Sequence, residues 1–209
     1  QNDFFTDPEA KRLYKQRLRY IAARYASYPN VAVWEFWNEI DNVRQHFQEK
    51  DMIAWHAEMA SEVRRLDPYG RLVSTSLIHD VFPTMWTDAN LDLVQSHSYN
   101  QTNPGLDFAA RAKRFREKYG KPYIVGEYGV DWRAAMSEID PKNRGLRQAL
   151  WGSLIGGGAG TAQSWWWETL DAQNAYPLFA GLSKFVARSP IGEKGWKPME
   201  VATPVASVQ

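Results

Sequence analysis

The feature that most constrains the fold is an alternation of short apolar segments with longer amphipathic ones. The short segments are rich in β-branched and aromatic residues, which is typical of strands buried on both faces. They span residues 31–37, 71–77, 91–99, 123–127 and 160–167. Apolar residues recur at helical spacing in residues 8–27, 52–63, 108–119, 144–155 and 177–187. This order predicts an α/β fold in which parallel strands are joined by right-handed crossovers.

Chain length decides between a whole barrel and part of one. The chain has 209 residues, whereas a complete (β/α)₈ TIM barrel typically needs about 250. Five strands therefore correspond to about strands 4 to 8 of a barrel, or to an open sheet. Residues 78–90, which carry Pro83, show no clear helix between the second and third strands. We expect residues 1–190 to form the barrel part and residues 191–209 to be a linker or the start of a following segment.

Composition removes several classes of function. Lys and Arg total 25 against 24 for Asp and Glu, a net charge of +1, so neither nucleic acid nor a membrane is expected as partner. The absence of cysteine excludes a disulfide scaffold, cysteine-ligated zinc and thiol catalysis. The uncharged run 149–167 contains five glycines and does not predict a transmembrane helix. Ten Trp and ten Tyr suit stacking on sugar rings as well as burial.

Two glutamates stand at the carboxyl ends of predicted strands. Glu39 follows the strand at 31–37 and opens a polar loop, and Glu127 ends the strand at 123–127. Parallel α/β folds bind their ligands at this end of the strands. The two residues are 88 positions apart, which is three βα units of about 29 residues. A barrel would place them on strands that face each other across its mouth.

Paired carboxylates at a barrel mouth suit cleavage of a glycosidic bond. One group must be protonated so that it can donate to the leaving oxygen, and the other must be ionised so that it can attack the anomeric carbon. In this covalent route the two groups lie about 5 Å apart. We therefore expect Glu39 and Glu127 to meet over one sugar ring.

Further motifs stand on the same strands. They are Asn38-Glu39, His97-Ser98-Tyr99, Glu127 and the run Trp165-Trp166-Trp167. Asn-Glu alone is a weak signal, but the ordered set resembles the clan A retaining glycoside hydrolases. It is most similar to glycoside hydrolase family 5, with its cellulases and mannanases. The resemblance covers nearly the whole chain, and it implies the carboxyl-terminal part of a (β/α)₈ barrel.

The resemblance also implies a role for each motif residue. Glu39 would be the acid/base and Glu127 the nucleophile of a retaining β-glycosidase acting on mannan- or glucan-type poly- or oligosaccharides. Asn38 would donate to the 2-hydroxyl of the reacting sugar, and His97 and Tyr99 would order the carboxylates.

The last predicted strand carries the aromatic signal. Trp165 and Trp167 share one face of it, and the resemblance implies that one of them stacks on the sugar. Trp166 would then face the helices.

The chain departs from the family pattern at its beginning. Family members also use an Arg and a His from earlier barrel strands, and no strand precedes the helix that begins at Pro8. A five-stranded piece would also expose two sheet edges and an apolar barrel interior. We therefore expect a segment of a longer hydrolase, whose amino-terminal barrel strands would be its partner and would be needed for activity.

Other polar residues receive plainer interpretations. Glu35 lies four residues before Glu39, roughly 13 Å deeper at about 3.3 Å per residue, and is expected to be a core residue with a buried partner. His79 and Asp80 could ligate a metal with His97, but they lack a motif spacing. The glycine-rich residues 156–160 lack the Lys of a phosphate-binding loop. We expect no cofactor and no metal.

Two other classes of function stay open on these residues. The barrel could be a non-catalytic carbohydrate-binding module, which would bind a glycan without releasing sugar. A barrel enzyme that uses two carboxylates for proton abstraction would need a metal or a Lys at the mouth, and no predicted strand end carries Lys. The glycan and endo or exo action are left undetermined. A secreted or periplasmic location is expected from the substrate class only.

Overall fold

The computed structural model describes residues 2–133 and 136–193, apart from the side chains of residues 136 and 137. Its strands are β1 (Val33–Glu35), β2 (Leu72–Ser74), β3 (Val94–Tyr99) and β4 (Tyr123–Gly129). Its helices are α1 (Asp3–Thr6), α2 (Pro8–Tyr25), α3 (Glu49–Leu66), α4 (Pro83–Asp88), α5 (Pro104–Tyr119), α6 (Met136–Ile139), α7 (Arg144–Ile155), α8 (Trp167–Ala172) and α9 (Pro177–Val186). A 3₁₀ helix spans Ile40–His46. From residue 194 onward, the expected linker at 191–209 lies outside the described residues.

The strands are parallel and lie side by side in chain order. β1 pairs with β2, and β3 pairs with β4. A parallel bridge between Leu77 and Ser96 joins the two pairs, and the His97 N–H donates to the Leu77 carbonyl at 2.8 Å. Helices α3 and α5 form the crossovers from β1 to β2 and from β3 to β4. The α/β prediction is therefore confirmed, and the strands form one wall of the kind that a barrel closes.

β1 and β2 are shorter than the predicted segments 31–37 and 71–77 because their carboxyl ends leave the regular ladder. The Phe36 N–H donates to the Ser74 carbonyl, and the Ser76 N–H donates to the Trp37 carbonyl, each at 3.0 Å. These bonds keep the two strand ends together after the regular register has stopped. They hold the segment from which Glu39 emerges.

The predicted fifth strand at 160–167 does not form as a full strand. Residues 159–165 run beside β4 with backbone bonds such as Gln163 N–H to the Val125 carbonyl at 3.1 Å, but only a single parallel bridge, between Tyr128 and Ser164, results within the described residues. The chain then enters α8 at Trp167. This part of the prediction is wrong because an apolar run cannot reveal whether its far edge finds a partner.

The long helices agree with their predicted periodicity, while short ones were missed. α7 has the predicted bounds, and α5 is capped by the Asn103 side chain, which accepts from the Leu106 N–H at 3.2 Å. α4 occupies part of residues 78–90, where the sequence showed no clear helix. Its six residues are too few for a periodic pattern to stand out. No helix in the described part of the chain is both long enough and apolar enough to cross a membrane.

An aromatic cluster lies behind the end of β1. Its centre is Trp55 on α3, which is fully buried. The rings that contact Trp55 come from α1, α2 and the end of β1, and they are Phe4, Phe5, Tyr14, Phe36 and Trp37. Burial of each large side chain contributes roughly 2–3 kcal/mol, so this cluster anchors the strand end that carries Glu39.

Candidate active site

Glu39 occupies an unusual backbone conformation at the end of β1. Its φ of 52° and ψ of 51° are left-handed, a region that non-glycine residues seldom adopt. Its N–H donates to Ser76 Oγ at 2.9 Å, and the next N–H, from Ile40, donates to the Ser76 carbonyl at 3.2 Å. The left-handed turn stops the strand and sends the chain into the 3₁₀ helix, with the Glu39 side chain left at the strand mouth.

A bulge in β4 aims Glu127. Ser96 pairs with Val125, but the next residue, His97, pairs with Glu127, so Gly126 is the extra residue. A Cβ at position 126 would lie 2.5 Å from the Gln95 side chain, so only glycine fits without displacing Gln95. Bulges re-aim the side chain that follows them, and this one brings Glu127 alongside His97.

The four predicted polar side chains from three strands meet at one point. His97 Nδ1 lies 2.7 Å from Glu39 Oε1 and 3.6 Å from Glu127 Oε2. The Tyr99 hydroxyl donates to Glu127 Oε1. One carboxylate oxygen from each glutamate lies within 4.8 Å of the other and of His97. This spacing is that of carboxyl pairs in the covalent route of glycoside cleavage.

The side chains of this cluster differ in exposure, and the surroundings of Tyr99 favour its protonated form. The His97 side chain is 3% exposed, against 17% for Glu39 and 15% for Glu127, so the carboxylates can be reached while the imidazole is shielded. Burial, then the hydrogen bond to Glu127 and the nearby negative charges, raise the pKa of Tyr99 above its ordinary value. Tyr99 therefore keeps its proton and remains a donor to Glu127.

The His97–Glu39 contact allows a proton to reside on either partner. If Glu39 is ionised, the Nδ1–H donates to it; if Glu39 is protonated, Nδ1 can accept from the carboxylic acid. The Asn42 side-chain amide donates to the other oxygen, Glu39 Oε2, at 2.8 Å. Glu39 is thus oriented in both states, which suits a group that gives and takes protons.

The remaining predicted site residues are exposed near the strand ends. Asn38 is exposed next to Glu39. Trp165 and Trp167 are 49% and 69% exposed, so each has a face available for a ligand. Trp167 belongs to α8 rather than to a strand, so the expected shared strand face does not exist.

Trp166 does not have the predicted orientation towards the helices. Its Nε1 donates to the Asp131 carbonyl in the loop after β4, at 3.0 Å. A Cβ on Gly129 would lie 3.1 Å from that nitrogen and 2.9 Å from Tyr99 Cε1. The Trp166 and Tyr99 rings therefore pack over Gly129, close to the bond between Tyr99 and Glu127.

Two other sequence interpretations change. Glu35 is exposed, so the prediction of a buried core residue is wrong. β1 has a hydrogen-bonded neighbour only on the β2 side within the described residues, and nothing there covers Glu35. Asp80 accepts from Lys118 and from the Tyr119 hydroxyl, each at 2.8 Å, so Asp80 belongs to an exposed ion-pair network away from His97.

Among the described residues, one cluster offers three side chains that a cation could use as ligands, and it is Glu39, His97 and Glu127 themselves. The carboxylate oxygens already form hydrogen bonds with His97, Asn42 and Tyr99. The arrangement suits proton transfer and nucleophilic attack by the carboxylates.

Sequence reasoning missed two residues that contact Glu39. Asn42 was noted only as part of a polar loop, and its i,i+3 spacing from Glu39 in a helical turn was the available signal. Ser76 follows β2, 37 positions from Glu39, and no local pattern distinguishes it from its neighbours Ser74 and Thr75.

Comparison with known proteins identifies relatives among glycoside hydrolases. Mannan endo-1,4-beta-mannosidase 8 from Oryza sativa subsp. japonica is 26% identical over 175 residues, which covers 62% of this chain and 46% of that protein. The chain thus spans about half the length of this relative.

Solved structures share the fold at low identity. A glycoside hydrolase family 5 mannosidase from Rhizomucor miehei has a TM-score of 0.56 at 15% identity, covering 78% of this chain and 49% of that one. A β-glucuronidase from Bacteroides uniformis has a TM-score of 0.59 at 16% identity, covering 76% and 21%. These likenesses confirm the prediction of a partial TIM barrel.

The family assignment comes from the sequence. Residues 2–145 match the family described as glycosyl hydrolases family 2, TIM barrel domain, which is more than half of the chain. The expected resemblance was closest to family 5, which appears among the structural neighbours, while the matched family is family 2. The chain therefore belongs to the TIM barrel domain family of the glycosyl hydrolases family 2.

Proposed function

We propose that the complete protein is a retaining β-glycosidase that hydrolyses β-linked poly- or oligosaccharides of the mannan or glucan type. The observation that carries this proposal is the approach of Glu39 and Glu127 to within 4.8 Å, with His97 between them. This distance is near the separation of about 5 Å in the covalent route and shorter than the roughly 6.5–9.5 Å of inverting enzymes.

In the first step, Glu127 attacks the anomeric carbon, and the bond to the leaving oxygen breaks. Glu39 gives its proton to that oxygen, so the leaving sugar departs as a neutral alcohol. His97 and Asn42 orient Glu39 for this transfer. Tyr99, whose hydroxyl donates to Glu127 Oε1, leaves the other oxygen of Glu127 for attack.

In the second step, a water molecule takes the place of the leaving sugar. Glu39, now ionised, accepts a proton from the water as it attacks the anomeric carbon. The bond to Glu127 breaks, and the sugar is released with its original anomeric configuration. Each displacement inverts this carbon, so two displacements retain it.

The substrate class is supported by the exposed groups around the carboxylates and by the relatives. Asn38 is exposed beside Glu39, which supports a contact with a hydroxyl of the reacting sugar, and the exposed Trp165 and Trp167 support stacking of one of them on a sugar ring. The rice relative is named as a mannan endo-1,4-beta-mannosidase, which favours mannan as the first glycan to test.

We also propose that residues 1–190 form the carboxyl-terminal part of the barrel and that residues 191–209 form a linker or the start of a following segment. Activity then requires the preceding barrel strands. The edge of β1 that has no hydrogen-bonded strand in the described part of the chain supports this, because an uncovered edge in a parallel sheet normally has a partner strand.

The test is hydrolysis by the full-length protein. We would incubate it with β-mannan, β-glucan and the 2,4-dinitrophenyl and phenyl β-glycosides of mannose, glucose and glucuronic acid. Released reducing sugar would be assayed, and the anomer formed first would be identified by NMR. The β-anomer is expected. Binding without release would favour a carbohydrate-binding module, and initial release of the α-anomer would reject the covalent route.

A further inference from the structure

The left-handed conformation of Glu39 requires an explanation. A side chain with a Cβ is disfavoured at φ near +52° because Cβ approaches the following carbonyl oxygen. Such a conformation persists only where the surroundings determine it, and it clusters at functional sites. The other non-glycine residues with positive φ in the described ranges are all Asn, which tolerates this region. Glu39 has no such tolerance.

Ser76 makes four hydrogen bonds to the turn that contains Glu39, one of which runs from its hydroxyl to the Trp37 carbonyl at 3.4 Å. Its side-chain oxygen accepts from the Glu39 N–H at 2.9 Å. Its backbone carbonyl accepts from the Ile40 N–H at 3.2 Å, and its own N–H donates to the Trp37 carbonyl at 3.0 Å. Ser76 is fully buried, so water cannot replace these partners. The Glu39 N–H would lose its acceptor if the Ser76 hydroxyl were removed.

A second buried residue makes hydrogen bonds on the carboxyl-terminal side of the same turn. Asp41 is 4% exposed, and its two carboxylate oxygens accept from the Ile78 and His79 N–H groups at 3.0 and 2.8 Å. Hydrogen bonds to a charged acceptor are among the stronger ones. Residues 76–79 therefore bind the chain on both sides of Glu39, through Ser76 before it and through Asp41 after it.

We propose that Ser76 and Asp41 are positioning residues for the acid/base Glu39, and that residues 76–79 hold its backbone in the left-handed conformation. This inference rests on the proposed function. Without the hydrogen bonds of Ser76 and Asp41, the backbone of Glu39 relaxes towards negative φ. Its carboxyl group then moves away from His97 and from the oxygen of the leaving group. The protonation step is then impaired, while attack by Glu127 is not.

The test separates positioning from general stability by the choice of leaving group. The full-length protein and its Ser76→Ala variant would be assayed with dinitrophenyl and phenyl glycosides of whichever sugar the wild type cleaves. A phenyl group needs protonation as it departs, whereas a dinitrophenyl group does not. We expect Ser76→Ala to lose at least about tenfold more kcat/KM on the phenyl substrate. Ser76→Thr, which keeps the hydroxyl, should restore much of that loss.

Ser74→Ala is the matched control. Ser74, the last residue of β2, is also a fully buried serine, but its hydroxyl donates to the Leu93 carbonyl at 2.8 Å and does not touch the turn at Glu39. We expect it to lose activity equally on both substrates, if at all. An equal loss on both substrates in Ser76→Ala would overturn the inference.

Asp41→Asn keeps the test decisive if Ser76→Ala does not fold, as judged by far-UV circular dichroism. The amide has one acceptor oxygen and therefore releases either the Ile78 or the His79 N–H, so a smaller difference in the same direction is expected. Equal losses of Asp41→Asn on the two substrates would overturn the inference.

If the wild type cleaves no glycoside, the proposed function fails. If Glu39→Gln loses more activity on the phenyl than on the dinitrophenyl substrate, and Ser76→Ala and Asp41→Asn do not, only this inference fails.

Discussion

Glu39 and Glu127 lie at the carboxyl ends of β1 and β4, but different structural features place them. Glu127 belongs to a seven-residue strand whose ladder with β3 fixes it opposite His97, and a bulge at Gly126 sets its direction. Glu39 follows a three-residue strand and is held in a left-handed turn by hydrogen bonds from residues 76–79. The Glu127 side thus depends on strand register and small residues, whereas the Glu39 side depends on buried polar side chains. Each side should therefore be sensitive to a different kind of substitution.

The largest effect is expected at Glu127, the proposed nucleophile. Glu127→Ala in the full-length protein should reduce turnover roughly 10⁴-fold or more, since the proposed glycosyl-enzyme forms on its carboxylate. Azide should restore part of the activity by attacking directly and give the product of inverted configuration. Kinetics with and without azide, with NMR of the product, would test this. Normal turnover in the variant would remove Glu127 from the nucleophile role.

The next effect separates the two carboxylates. Glu39→Gln should lose about 10²- to 10⁴-fold on substrates with poor leaving groups, which is the usual contribution of a general acid. The loss on dinitrophenyl glycosides should be far smaller in the first step, since their departure needs no proton. Single-turnover measurements on both substrates would show it. Equal losses on the two substrates would argue against the acid role.

A third substitution tests the dependence of the Glu127 side on small residues. In Gly129→Ala, the new Cβ would lie 2.9 Å from Tyr99 Cε1, so the ring must shift, and its hydroxyl must move from Glu127. A displacement of this size near the chemistry should reduce kcat on the order of 100-fold. The control is Gly181→Ala on α9, where a Cβ meets no atom within 4 Å. Equal activity in both variants would show that Tyr99 does not order Glu127.

The smallest effect concerns stability behind the Glu39 side. Burial lowers the pKa of His56 from 6.5 to about 4, and its Nε2 lies 3.3 Å from Thr75 Oγ1, which donates to the Trp37 carbonyl. Between these two pKa values, the unfolded chain binds a proton at His56 that the folded one does not. The free energy of unfolding should therefore fall as pH drops, through this group by about 2 kcal/mol from pH 7 to pH 5.

Urea denaturation of the full-length protein at several pH values would measure this dependence. His56→Gln should remove that part of the pH dependence, whatever its own stability. His46→Gln is the control, because His46 is exposed on the 3₁₀ helix. If His56→Gln retains the wild-type slope between pH 7 and pH 5, the buried imidazole is not the group responsible.

The long helices were predictable from sequence, but the short elements were not. α2, α3, α5 and α7 carry several turns of apolar periodicity, which local spacing reveals. The predictions of a full fifth strand and of a buried Glu35 were wrong, because both features depend on what lies across the sheet edge. For the candidate site, Glu39 and Glu127 were identified because each stands at the carboxyl end of a predicted strand. His97 and Tyr99 were identified because the ordered motifs resemble the clan A retaining glycoside hydrolases. Ser76 and Asn42 were missed because their contacts depend on the path of a turn.

The amino-acid sequence by itself determined the alternation of parallel strands with helices and the placement of two carboxylates at the carboxyl ends of strands. These follow from side-chain periodicity and strand direction, which are local properties. Only the tertiary structure decided that Gly126 forms the bulge, that Glu39 takes a left-handed conformation and that Ser76 binds it. Such features depend on register and on hydrogen bonds between residues far apart in the chain, where no local pattern records which donor will meet which acceptor.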